Sequence, residues 1–229
     1  MRGAALLIAL LSLAFSSSMT WAAGTLEIAP TTLNLMPGEA GLLYVKNNSA
    51  APVAMQIQPM DWKQNGNADV LSESSALIAS PPFLRIAPGE RQIVRVFAAP
   101  REPEADYRLV MSELPNPAHR ASVVNVLLQF NIPVFVTAEP QKPQTVWSAE
   151  AGNGGLLLRL QNTGTSAVKL DDFSVSKDIH SPAARGLIYV LPGARHEWRL
   201  PDDGSASVQL SARDARSGVS LDADIPVQR

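Results

Sequence analysis

The sequence predicts an all-β protein of two sandwich domains, and three observations carry that expectation. Short runs rich in Val, Ile, Leu and Thr recur along the chain, separated by Pro, Gly, Asn and Asp. Long apolar patterns of helical period are missing, whereas alternation between frequent turn residues belongs to strands. A polar stretch with two prolines, Thr137 to Pro143, divides the strand-like runs into two series, as domain linkers do.

In the first series, Thr25 to Leu35 reads as one strand ending at the Met36-Pro37-Gly38 turn. Gly41 to Lys46 is closed by Asn47-Asn48-Ser49, and Pro52 to Trp62 by Asn65-Gly66-Asn67. Phe83 to Ile86 stops at Pro88-Gly89. Gln92 to Phe97 alternates, with Ile93 and Arg95 on one face and Val94 and Val96 on the other. Tyr107 to Leu114 and Val123 to Val136 complete about seven strands, the number in an immunoglobulin-like sandwich.

The second series begins at Val146-Trp147 and continues through Leu156 to Leu160, Ala167 to Val175 and Gly186 to Leu191. His196 to Leu200, Ser207 to Ala212 and Val219 to Val227 complete it. Asn153-Gly154-Gly155, Asn162-Thr163-Gly164, Pro192-Gly193 and Asp202-Asp203-Gly204 supply the turns. The expected division is residues 1–24 as an export signal, 25–138 as the first domain and 139–229 as the second. Two such domains on a short linker form a boomerang, with the interdomain cleft as the natural binding place.

The export signal rests on Arg2, the apolar run from Ala4 to Phe15, and small residues at Ala22, Ala23 and Gly24. Cleavage after Ala22 or Gly24 leaves a mature chain with no run long enough to span a bilayer. Hydrophobic residues make up 46% and charged residues 17%, enough for a packed core. The net charge of −2 and the lack of a basic block argue against a nucleic-acid partner. There is no cysteine, so stability comes from burial rather than disulfides, and thiolate zinc is excluded. His119, His180 and His196 lie too far apart for metal-ligand spacing.

Catalysis finds no foothold: no phosphate loop, zinc motif or nucleophile elbow is present. Asp171-Asp172 and Asp202-Asp203 read as solvated turn residues rather than an acid–base pair. The expected protein is not an enzyme and uses no cofactor and no metal.

The most informative segment is Val123 to Pro133. Val124, Val126, Leu128, Phe130 and Ile132 fall on one face, and Val123, Asn125, Leu127, Gln129 and Asn131 on the other. The plain account of the wholly apolar face is the core side of a long strand.

Around this strand the motifs accumulate in order. They are PTTLNLMPGE from Pro30 to Glu39, VKNNSAAP from Val45 to Pro52, and SPPFLRIAPGERQIVRV from Ser80 to Val96. YRLVMSELP from Tyr107 to Pro115 and IPVFV from Ile132 to Val136 follow. The second series adds LLLRLQNTG from Leu156 to Gly164 and YVLPGARHEW from Tyr189 to Trp198. The set resembles the periplasmic pilus-assembly chaperones of chaperone–usher systems over essentially the whole mature chain. That resemblance implies donor-strand complementation: Val124, Val126, Leu128, Phe130 and Ile132 would fill the groove of a pilus subunit lacking one strand. It also implies delivery to an outer-membrane usher, with Pro52, Pro82, Phe83 and Leu114 as contact candidates. An exposed apolar stripe on an edge strand further implies capping of the free protein, as in a self-capping dimer.

The better-known branch of that family holds the subunit's terminal carboxylate with two basic cleft residues. The corresponding positions here are Thr32 and Pro133, neither of them charged. The chain is therefore more similar to the divergent archaic, spore-coat-like branch. Arg108 is the first candidate for a replacement anchor, because Tyr107, Leu109 and Met111 read as the core face and Arg108 alternates against them. Arg95 is the second, with Arg91 behind it. A different class of function, an exported two-domain scaffold or adhesion protein, would leave the apolar stripe as ordinary core.

Overall fold

The computed structural model describes residues 26–100, 105–115, 126–137, 144–175 and 187–229, all strands and connections with no helix among them. The export segment, most of the expected linker, Val124, His119 and His180 lie outside the described residues.

Among the described residues, ten strands form the first sandwich. One sheet contains β1 (Leu26–Ala29), β3 (Ala40–Asn47), β8 (Arg91–Ala98) and β6 (Leu77–Ser80), in the order β1-β3-β8-β6. The other has the order β2-β10-β9-β4-β5, made by β2 (Leu33–Leu35), β10 (Gln129–Val136), β9 (Ala105–Glu113), β4 (Val53–Asn65) and β5 (Ala68–Glu73). The short β7 (Phe83–Ile86) also pairs with β4. Leu43, Val45, Met55, Ile86, Val94, Val96, Leu109, Met111 and Val134 close the core between the sheets. The alternation expected of β8 holds: Val94 and Val96 are buried, whereas Ile93 and Arg95 are exposed.

The first expected strand differs. Thr25 to Leu35 is two strands in opposite sheets, β1 beside β3 and β2 beside β10. Pro30 lies at the crossing, where its missing N–H would otherwise break a ladder. Two further strands, β5 and β6, have no counterpart in the sequence reading. All six residues of β5 are exposed, so it carries no buried periodicity to detect. The last strand begins at Gln129 rather than Val123, and residues 123–125 are not described.

The second sandwich comprises β11 (Thr145–Gly152), β12 (Gly155–Asn162), β13 (Val168–Val175), β14 (Ile188–Val190), β15 (Arg195–Leu200), β16 (Ser207–Asp214) and β17 (Ala223–Gln228). Layers β15-β12-β11 and β14-β13-β16-β17 join where β17 pairs in parallel with β11 at Ala149 and Glu150. Leu158, Leu160, Val168, Leu170, Val190 and Trp198 fill its core. Asp171 lies in β13, not in a turn, and its carboxylate accepts from Arg213 Nη2 at 2.7 Å.

An internal correspondence links the two sandwiches. Asn47 ends β3 and Asn162 ends β12, and both are fully buried. Asn47 Nδ2 donates to the carbonyls of Ala51 and Ile86, and Asn162 Nδ2 to those of Ser166 and Val190. Their own carbonyls accept from Gly89 and Gly193, the glycines of the Pro88-Gly89 and Pro192-Gly193 turns. Each buried amide thus ties a strand end to the turn before the next strand, which satisfies main-chain groups that would otherwise be orphaned.

Candidate functional site

The sheet β2-β10-β9-β4-β5 has one face in the first core and the other toward the second domain. On that outer face Trp62 of β4 and Phe135 of β10 are buried with Ala167 and Leu191 of the second domain. Tyr189 completes an aromatic trio, its ring centroid 5.3 Å from Trp62 and 6.2 Å from Phe135. Two arginines cap the trio. Arg108 Cζ lies 3.6 Å from the Trp62 ring centroid, and Arg216 Cζ lies 3.8 Å from that of Phe135. Arg216 also spans the junction by donating to Asn34 Oδ1 at 2.9 Å and to the Ala167 carbonyl at 3.1 Å. A guanidinium over an aromatic face contributes about 0.5–2 kcal/mol, more as water is excluded.

Arg108 stands where the sequence reading expects it. Tyr107, Leu109 and Met111 are buried in the core, and Arg108 emerges on the opposite face. It is the strand partner of Pro133 in β10, while Val134 pairs with Leu33 beyond it. Arg108 thus stands beside the uncharged Pro133, and Thr32, also uncharged, directly precedes β2. Arg108 Nη2 lies 3.4 Å from Asp69 Oδ2, and Nη1 lies 3.4 Å from the Asn131 carbonyl. Burial pulls its pKa below the ordinary arginine value, and the Asp69 and Tyr189 charges act in the opposite direction. Arg95 is placed differently. It lies on β8 of the other sheet, exposed and paired with Leu42 and Ser80, away from the junction. Arg91 is on the same strand, 5.8 Å from the Tyr44 ring centroid.

The apolar stripe changes environment along its length. Ile132 is buried in the first core at 6% exposure, so it does not point outward. Phe130 and Leu128 are half-buried against the edge of that core, and Val126 is 80% exposed. The even positions of β10 continue the core face and then run past the sandwich. On the β9 side, Gln129 to Val136 are paired throughout. On the other side β2 reaches only Val134 to Val136, so among the described residues Gln129 to Pro133 have an open strand edge.

Pro52, Pro82, Phe83 and Leu114 gather at one end of the same sheet. Pro52 precedes β4, Phe83 pairs with Gln56 of β4, and Leu114 N–H donates to the Ala54 carbonyl. The Pro82 carbonyl accepts from Ile57 N–H. Phe83 is 58% exposed, Pro52 and Pro82 are exposed, and Leu114 is half-buried.

Sequence reasoning passed over the residues that join the domains. Gln64 Nε2 donates to the Tyr189 carbonyl and its Oε1 accepts from Leu191 N–H, both at 2.9 Å. Asn67 donates to the Glu197 carbonyl at 2.6 Å and accepts from Glu197 N–H at 2.7 Å. In sequence Asn67 reads only as part of a turn and Gln64 falls between a strand and that turn with no role, because their partners lie more than 120 residues further on.

Comparison with known proteins places this geometry. Among solved structures, the chaperone of a chaperone–tip subunit complex from the archaic Csu pili of Acinetobacter baumannii is similar with TM-score 0.70 and 22% identity. That match covers 90% of this chain and all of the other. The SafB chaperone complex of Salmonella enterica gives TM-score 0.62 at 15% identity, covering 87% and 96%. The E. coli chaperone DraB gives 0.61 at 18%, covering 89% and 96%. These likenesses establish two immunoglobulin-like domains. No curated protein matches the chain. The sequence profile of the N-terminal PapD domain, described as a pili and flagellar-assembly chaperone, matches residues 25–143. With just over half of its length under that profile, the chain belongs to the pilus-assembly chaperone family.

Proposed function

We propose that this chaperone caps pilus subunits in the periplasm by lending them the segment from Val124 to Ile132, and then passes them to an outer-membrane usher. Residues 1–24 serve as its export signal, and the two domains divide at about residue 138. The observation that carries the reading is the coincidence of an open strand edge at Gln129 to Pro133 with an apolar stripe that emerges from the core. A subunit strand could pair with that edge, while Leu128, Phe130 and the residues before them enter its unfilled groove. Ile132 then acts as the fixed end of the donor segment rather than as an inserted side chain. The exposed cluster at Pro52, Pro82 and Phe83 is the proposed usher contact. In the free protein a second copy covers the open edge.

Arg108 is the proposed anchor for the subunit's terminal carboxylate. It is a cation paired with Pro133 in β10, one residue along from the Val134–Leu33 pair that follows Thr32. Arg95 has no such placement.

The test is the double substitution Leu128→Glu with Phe130→Glu, co-expressed in the periplasm with the subunit encoded beside the chaperone gene. The expected result is a folded chaperone that purifies without its subunit. Retained co-purification by the folded variant would overturn strand donation from this segment.

A further inference from the structure

Arg108 already has a carboxylate beside it. Asp69, on the exposed edge strand β5, places Oδ2 3.4 Å from Arg108 Nη2. The other oxygen, Oδ1, accepts from Gln64 Nε2 at 2.9 Å, and that same nitrogen donates to the Tyr189 carbonyl. Asp69 therefore bridges the arginine of the cleft to an amide that holds the second domain. Its side chain is 41% exposed, whereas that of Arg108 is 11% exposed. One face of the guanidinium is covered by Trp62, and Tyr189 stands 5.1 Å away. The solvent-facing partner of the pair is thus the acid.

From this arrangement we infer that Asp69 is a built-in competitor: it occupies the carboxylate position on Arg108 in the free chaperone and yields to the terminal carboxylate of a bound strand. The inference rests on the anchoring role proposed for Arg108. A buried guanidinium left without a counter-ion is costly, and Asp69 removes that cost while the cleft is empty. The pair is long and partly exposed, so it is weak enough to exchange. A free carboxylate must displace Asp69 with no other gain. A chain terminus that also pairs with the open edge of β10 adds main-chain hydrogen bonds to the exchange. Asp69 thereby biases the site toward polypeptide ends and against small acids, which makes it a specificity-determining residue. Because Asp69 Oδ1 also accepts from Gln64 Nε2, the exchange can free one N–H donor of the amide that joins the domains.

The experiment uses the mature protein labelled with 15N, following the Arg108 Nε–H signal, which the Trp62 ring shifts. N-acetyl-phenylalanine is titrated, with N-acetyl-phenylalaninamide as the uncharged control. In Asp69→Asn the side-chain oxygen still accepts from Gln64, and the acid should bind about two- to fivefold more tightly than to the wild type, the range set by a partly exposed ion pair. Asp69→Ser gives a second measurement should the amide variant fold poorly. Glu73→Gln, on the same exposed strand, removes an equal charge and should leave the affinity unchanged. Equal gains from Glu73→Gln and Asp69→Asn, or no gain from Asp69→Asn, would overturn the competitor role while leaving Arg108 as anchor. An Arg108 signal that responds no more to the acid than to the amide, in every variant, would instead remove the anchor reading itself.

Discussion

Asn67 and Glu197 close a two-bond ring across the domain junction, the Asn67 side-chain amide pairing with both main-chain groups of Glu197 at 2.6 and 2.7 Å. Gln64 repeats the device one turn of hairpin away, against Tyr189 and Leu191. In each case a side-chain amide stands in for a neighbouring strand. The β4–β5 hairpin thus pairs with the second domain without entering its sheet.

The first prediction concerns that clasp. Each partly exposed hydrogen bond contributes about 1 kcal/mol net, so Gln64→Ala with Asn67→Ala should weaken domain docking by about 2–4 kcal/mol. Calorimetry should show one transition in the wild type and two in the double variant. A single transition at unchanged Tm in the variant would show that the aromatic trio alone couples the domains.

Asn47 and Asn162 should matter more, each within its own sandwich. Removing Asn162 takes the amide partner from two buried carbonyls and from the Gly164 N–H, and removing Asn47 takes it from the buried Ile86 carbonyl and the Ser49 N–H, while the Ala51 carbonyl keeps Ser49 Oγ. At about 1–3 kcal/mol per orphaned group, Asn47→Ala or Asn162→Ala should lower stability by several kcal/mol in urea unfolding. A loss under 1 kcal/mol at either site would refute the corner role there.

The stripe should divide sharply by position. Ile132→Glu places an unpaired charge in the first core and should unfold that domain, at a cost of several kcal/mol. Val126→Glu, at an exposed position, should leave the thermal melt within about 0.5 kcal/mol of wild type. Similar melts for the two variants would contradict the burial gradient.

The last prediction is a pH dependence. Burial depresses the pKa of His196 below the ordinary imidazole value, with Asp69 and Glu197 opposing it. The folded state then favours the neutral ring, and the unfolded chain binds the extra proton first. Stability should fall as pH drops through about 6.5, and His196→Gln should flatten that part of the curve. A wild-type profile already flat there would exclude His196 as the source.

The alternation of apolar residues was legible from the chain itself. It located the buried side of β8, the core residues flanking Arg108, and the placement of Arg108 on the opposite face, because side-chain direction in a strand is a local property with period two. The buried roles of Asn47 and Asn162 were hidden within what looked like ordinary turns. What the tertiary structure alone decided depends on pairing between distant segments. Thr25 to Leu35 became two strands in opposite sheets because a strand's partner is chosen by the whole sandwich. The exposed strand β5 left no pattern to read, yet it supplies Asp69. Ile132 and Val126 look alike in sequence, but only the extent of the sandwich around them buries one and exposes the other. The surroundings of Arg108 come from β4, β5, β10 and Tyr189 of the other domain. Local periodicity sets which way a side chain points, whereas register and domain docking decide what it meets.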